Sequence, residues 1–140
     1  MPPSKIIIDT SFLYALYDQD SPEHLAVQEI ARLFARQFLV PQIVLTEAAF
    51  LVRREMGAQA AVAFLMTFAD SQPALVDVTV DDLKRAAQIM HRYAEADFDF
   101  VDCCIMALCE RINVIQVGTL DRRDFRIFRP AHCDYLELLP

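Results

Sequence analysis

Asp9 follows Ile6, Ile7 and Ile8 without a break, and Thr10 and Ser11 come next. Three consecutive isoleucines read as a buried strand. A carboxylate at the end of such a strand costs free energy unless something compensates it. Asp102 poses the same problem. It lies near the start of FVDCCIMALCERI (100–112), whose apolar positions wrap around much of a helix, the mark of a buried one. Glu47 opens the helix that follows the apolar FLVP, Asp99 stands just ahead of the buried helix, and Asp121 and Asp124 follow VIQVG. Carboxylates that converge repel each other and raise each other's pKa. A hard divalent cation removes that cost. Mg²⁺ takes oxygen ligands, typically one or two carboxylates together with waters and phosphate oxygens. Two such ions clamp both sides of an in-line phosphodiester displacement. Cleavage of a phosphodiester is therefore the chemistry these acids could perform together.

Each acid also has a purely structural reading. Asp9, with Thr10 and Ser11, can cap a short helix. Thr46 can be an N-cap with Glu47 in the dipole-favoured first turn. Asp99 can be an N-cap with Asp102 near the third helical position, resembling a capping box. Asp121 can make an Asx-turn. The case for a site rests on the acids meeting, which the surrounding elements must arrange.

Strands and helices alternate along the chain. Strands are expected over 5–9, 38–41, 75–80, 114–118 and 135–139. Helices are expected over 11–17, from Ser21-Pro22-Glu23 to about 36, over 46–56 (stopped by Gly57), 58–69, 81–96 and 100–112. TLDRRDF is read as a turn with one helical turn in it. Strands joined by helical crossovers imply a mostly parallel sheet with helices on both faces. In such a sheet ligands bind outside the carboxyl ends of the strands, which is where Asp9, Glu47 and Asp121 fall.

The 140 residues, 55% of them hydrophobic, fit one domain over 1–140 with a sizeable core. Gly57 and Gly118 are the only glycines, so no Gly-rich phosphate loop is present. MPPSK has no basic segment running into an apolar one, and no stretch is long and apolar enough to span a membrane, so neither a secretory leader nor a membrane span is expected. Cys103, Cys104, Cys109 and Cys133 lack C-x-x-C spacing. They read as free thiols used as small core residues in a reducing cytoplasm. His24, His91 and His132 lack a paired acid and nucleophile. The net charge of −7 is unusual for a nucleic-acid binder. Bound cations and local basic residues would have to offset it.

IIIDTSFLYAL, TEAAFLVRREMG, DFDFVDCCIMALCERINV and VGTLDRRDF, in that order and spacing, resemble a PIN domain. The closest likeness is to the VapC-type toxin nucleases of bacterial type II toxin–antitoxin modules. The resemblance covers nearly the whole chain. It implies a three-layer α/β/α sandwich with a mostly parallel central sheet, and a ribonuclease dependent on Mg²⁺ or Mn²⁺. It makes Asp9, Glu47, Asp102 and Asp121 the four catalytic acids. Asp9 and Asp102 would hold the ion directly, and Glu47 and Asp121 would bind a second ion or orient water. Thr10, Ser11 and Thr119 match hydroxyl positions near the metal, and Asp99 and Asp124 match auxiliary ones. Cys103-Cys104 departs from the small aliphatic residues usual there.

Arg122, Arg123, Arg126 and Arg129 are four arginines in eight residues immediately after Asp121. Arginine forks match phosphate geometry, so Arg122, Arg123 and Arg126 are candidate RNA contacts. A solvated charged face is the plainer reading. Arg53 and Arg54 are a weaker pair of the same kind, and Phe125 is expected to anchor its loop in the core. The resemblance also implies a cognate antitoxin and a homodimer, with Phe34, Phe38, Phe50 and Phe64 available for such surfaces. The alternative function is a non-catalytic RNA- or protein-binding module on a PIN-like fold. Scaffolds tend to lose the acids, and here all four positions are filled. A haloacid-dehalogenase-like site fits poorly, because Ser11 stands where its second Asp belongs. A receiver domain fits no better, since Asp77 sits inside LVDVTV and the only lysines are Lys5 and Lys84.

Overall fold

The computed structural model describes residues 4–140. Residues 1–3, expected to lead into the first strand, lie outside the described residues. Five strands, β1 (Ile6–Ile8), β2 (Phe38–Pro41), β3 (Ala74–Val76), β4 (Gln116–Gly118) and β5 (Glu137–Leu139), form one sheet in the order β3-β2-β1-β4-β5. Every neighbouring pair is parallel. The helices are α1 (Thr10–Tyr17), α2 (His24–Phe34), α3 (Gln42–Met56), α4 (Ala58–Asp70), α5 (Val80–Arg92), α6 (Phe100–Ile112) and α7 (Arg123–Ile127). They pack as two groups, α1 to α4 and α5 to α7, which gives the expected α/β/α sandwich.

The core follows from the apolar runs. Ile6, Ile7 and Ile8 are all buried at the centre of the sheet. In α6, every residue from Asp102 to Cys109 is buried, so Cys103, Cys104 and Cys109 are free core thiols as expected. Phe125 and Phe64 are core residues, whereas Phe50 and Phe34 remain exposed. Gly57 ends α3 at φ 95°, a backbone state that favours glycine. Among the described residues no helix is long and apolar enough to cross a membrane.

Several boundaries differ from expectation. α3 begins directly after Pro41, four residues earlier than Thr46 suggested. Thr46 is not its N-cap: its hydroxyl donates to the Gln42 carbonyl (3.1 Å), inside the helix. Glu47 therefore sits in the second turn and does not open the helix. Ser21-Pro22-Glu23 forms a turn, with the Ser21 hydroxyl accepting from the Glu23 amide (3.3 Å), and α2 starts at His24. LVDVTV alternates like a strand, but only Leu75 and Val76 of it pair with β2. Thr79 instead caps α5: its side chain accepts from the Asp82 amide, and Asp82 returns the bond to the Thr79 amide. α5 stops at Arg92 rather than continuing to 96, and Asp97 follows at φ 56°.

Asp82 is buried and also accepts Arg111 at 3.0 Å, while Arg85 holds Glu110 at 2.6 Å. These two pairs tie α5 to α6. Burial pushes the Asp82 carboxyl up, but the Thr79 amide and the Arg111 guanidinium outweigh it and hold the group below the usual carboxylate range.

Candidate active site

β1 and β4 are neighbours with Ile8 opposite Gly118, so Asp9 and Thr119 leave the sheet side by side at its carboxyl end. The Asp9 amide donates to the Gly118 carbonyl at 2.8 Å. A side chain on Gly118 would force its neighbours to shift. A Cβ at Gly118 would lie 2.9 Å from Ile8 Cδ1 and 3.1 Å from the Phe12 ring.

Asp9 is the N-cap of α1, and its carboxylate accepts the Thr10 amide at 2.7 Å. The cap reading is therefore correct, yet it does not exhaust the side chain. Its other oxygen accepts the Thr119 hydroxyl at 2.7 Å and a longer bond from Ser11 at 3.4 Å. Asp9 is only 4% exposed. Burial, aided by the charges of Glu47 and Asp121, pushes its carboxyl up to about 6 despite those two closer bonds. Thr119 in turn accepts the Asp121 amide (3.0 Å), and Ser11 accepts the Leu120 amide (2.9 Å). The loop after β4 is thus fastened to the start of α1 by two hydroxyls. The Thr10 hydroxyl is buried and has no hydrogen-bond partner among the described residues.

Asp99 caps α6, accepting the Asp102 amide at 2.9 Å. The second half of a capping box is not formed. The Asp102 carboxylate accepts no hydrogen bond among the described residues and is 4% exposed. Burial comes first, then the charges of Asp9, Asp99, Asp121 and Asp124. Together they push it up to about 9. α7 completes the cluster: one carboxylate oxygen each from Asp102, Asp121 and Asp124 lie within 4.8 Å of one another. Asp121 is exposed, and its carboxyl is raised by desolvation and by Asp124 and Asp99, with Arg123 opposing. Asp124 is buried and accepts Arg123 at 2.7 Å.

Of the four acids expected to be catalytic, Asp102 and Asp121 converge, and Asp124, read as auxiliary, converges with them. Asp9 lies beside them, its charge acting on Asp102. Glu47 is half-buried and near enough to act on Asp9, and its carboxylate forms no hydrogen bond among the described residues. Asp124 stands three residues after Asp121 in D-R-R-D, and α7 brings its carboxylate to the other two. Of the arginines, Arg123 folds onto Asp124 and the Ala96 carbonyl, and Arg122 donates to the Pro140 carbonyl. The Arg126 guanidinium has no partner among the described residues, and Arg129 binds the Arg126 and Phe128 carbonyls through one nitrogen.

The donor set is all oxygen, with no imidazole or thiol in it, which suits a hard divalent cation. Protons held on Asp9 and Asp102 by burial and mutual repulsion are what such a cation would displace.

Residues 6–129 match the PIN domain. The chain is 32% identical over 135 residues to ribonuclease VapC26 of Mycobacterium tuberculosis, covering 96% of this chain and 100% of that one. Among solved structures it is similar to VapC20 of Mycobacterium tuberculosis, described as a sarcin-ricin loop cleaving toxin. The TM-score is 0.73 and the identity 26%, over 84% of this chain and 91% of that one. The DNA-bound VapBC of Salmonella typhimurium has the same fold, with a TM-score of 0.72 at 14% identity over 97% of each chain. The chain belongs to the PIN domain family.

Proposed function

We propose that this chain is an endoribonuclease dependent on Mg²⁺ or Mn²⁺, the toxin of a toxin–antitoxin pair acting on cytoplasmic RNA. The observation that carries the reading is the convergence of the Asp102, Asp121 and Asp124 carboxylates within 4.8 Å, beside a buried Asp9. Full-length similarity to a ribonuclease supports the reaction class. A cognate antitoxin is supported by the VapBC fold neighbours, and a homodimer by family resemblance.

Asp102 would hold the cation with Asp121 and Asp124, and Asp9 would complete the site. When bound, the cation supplies charge neutralisation at the phosphate under attack and makes water a better nucleophile. Thr119 and the Thr10 amide fix the orientation of Asp9. Asp102, with no donor among the described residues, keeps its lone pairs for the ion. Glu47, equally unpaired, is available to orient water. Of the arginines after Asp121, Arg126 and Arg129 keep donors for phosphate oxygens, whereas Arg122 and Arg123 are engaged within the chain.

The test is cleavage of a mixed RNA pool, including tRNA and structured rRNA fragments, with Mg²⁺ or Mn²⁺. Cutting that stops in EDTA and in Asp9→Asn supports the reading. Cutting that continues unchanged in both comes from a contaminant, and no cutting together with no metal binding rejects the reading. The non-catalytic alternative has no observation in its favour, since no acid is missing.

A further inference from the structure

α7 has two chemically different sides. Asp124 and Arg126 are two residues apart, roughly 200° around a helix with 3.6 residues per turn. Asp124 faces the acid cluster. Arg126, with Arg122 and Arg129, instead lines an open groove of about 840 Å³ between α7 and the segment running into β5. Arg122 stands at the start of α7, Arg126 within it beside the buried Phe125, and Arg129 just past its end, and all four line the groove. Tyr135 stands in the same groove, 66% exposed. Asp134 and Glu137 also line it, and Glu137 accepts the Gln116 amide at 3.2 Å.

Three arginines against these two acids make this groove locally basic in a chain of net charge −7. An exposed aromatic ring among arginines is the arrangement that holds single-stranded nucleic acid: bases stack and phosphates pair. The Arg126 guanidinium has no partner among the described residues, and Arg129 uses one nitrogen for backbone carbonyls, so both retain donors. α7 thus contributes Asp124 to the acid cluster and Arg126 to the groove.

We propose that the α7–β5 groove is a second RNA subsite. It takes the single-stranded segment running on from the cut, with a base stacked on Tyr135 and flanking phosphates on Arg126 and Arg129. This rests on the nuclease reading for the position of the cut, but the groove's affinity for RNA does not require cleavage.

The test is fluorescence anisotropy with the full chain and a labelled single-stranded RNA of about 12 nucleotides, long enough for one such site. EDTA is present so that nothing is cut. Tyr135→Ala is expected to weaken binding about tenfold, within the usual range for one stacked base, and Tyr135→Phe to restore it. Arg126→Ala and Arg129→Ala should each reduce the slope of log affinity against log salt by about 0.7. Arg32→Ala, which removes an exposed pair with Glu29, should change nothing. Wild-type affinity in all three groove variants, or no RNA binding by the wild type, overturns the proposal. So does loss of poly-glutamate binding in the same variants with RNA affinity unchanged, which would reassign the groove to an acidic protein segment. Groove-dependent RNA binding without any metal-dependent cleavage would reject the nuclease reading and keep the groove. Normal cleavage with groove variants that bind like wild type would do the reverse.

Discussion

The Thr119 hydroxyl donates a 2.7 Å hydrogen bond to the Asp9 carboxylate across 110 residues of sequence. That bond links the end of β1 to the end of β4. Because Thr119 also accepts the Asp121 amide, it holds the loop that carries two further acids. Thr119→Val keeps the shape and removes both contacts. It is expected to lower kcat by about 10–100-fold, as for other residues that orient a metal ligand. It should also cost about 1–3 kcal/mol in urea unfolding, the range for a buried group left unpaired. Thr119→Ser should retain most of both.

Without a divalent ion, stability should fall as pH rises. Burial and the neighbouring acids push the Asp9 and Asp102 carboxyls up to about 6 and about 9 in the folded chain, above the ordinary carboxylate value of 3.8. Between those limits the folded state binds more protons than the unfolded one, so raising the pH favours unfolding. Urea midpoints in EDTA should therefore be higher at pH 5 than at pH 8.5. Asp102→Asn should flatten the upper part of the curve. A midpoint independent of pH would remove the argument that these acids repel.

Mn²⁺ should reverse that trend. An ion that binds only the folded chain stabilises it by mass action, by about 2.7 kcal/mol at a hundred times its dissociation constant. The melting temperature should rise with millimolar Mn²⁺, more at pH 8.5 than at pH 5, and Asp102→Asn should abolish most of the rise.

Gly118→Ala tests the approach of β4 to α1. Its Cβ would meet Ile8 Cδ1 at 2.9 Å and the Phe12 ring at 3.1 Å. Overpacking of this kind costs about 1–3 kcal/mol. Activity should fall further than stability alone explains, because Ile8 immediately precedes Asp9. A variant that cuts like wild type would show that the approach can relax without moving Asp9.

Asp82 is the contrasting acid. It is as buried as Asp102 but is fully engaged by Thr79 and Arg111. Asp82→Ala should cost about 2 kcal/mol through the lost cap and broken pair. The kcat of the folded fraction should not change.

The difference between Asp82 and Asp102 shows what the sequence could carry. The parallel sheet was legible because apolar runs and helical crossovers leave few alternatives. The gathering of acids at its carboxyl end followed from that topology. Local capping was legible at Asp9 and Asp99 but misread at Thr46, where the helix had already begun at Gln42. Thr79 was lost inside an alternating run whose second half never paired. The place of Asp124 was not legible, because it depends on how a five-residue helix packs beside α6. Nor was the turning of Arg123 onto Ala96, a contact across 27 residues. Each of these is decided by tertiary contact, which neither propensity nor spacing encodes.

The most direct measurement is RNA cleavage by the wild type and by Asp102→Asn, each with Mn²⁺ and with EDTA, after both have been shown to fold. The account predicts cutting by the wild type with Mn²⁺ and none in the other three reactions. Undiminished, EDTA-sensitive cutting by Asp102→Asn would contradict it, because the carboxylate at the centre of the cluster would then be dispensable.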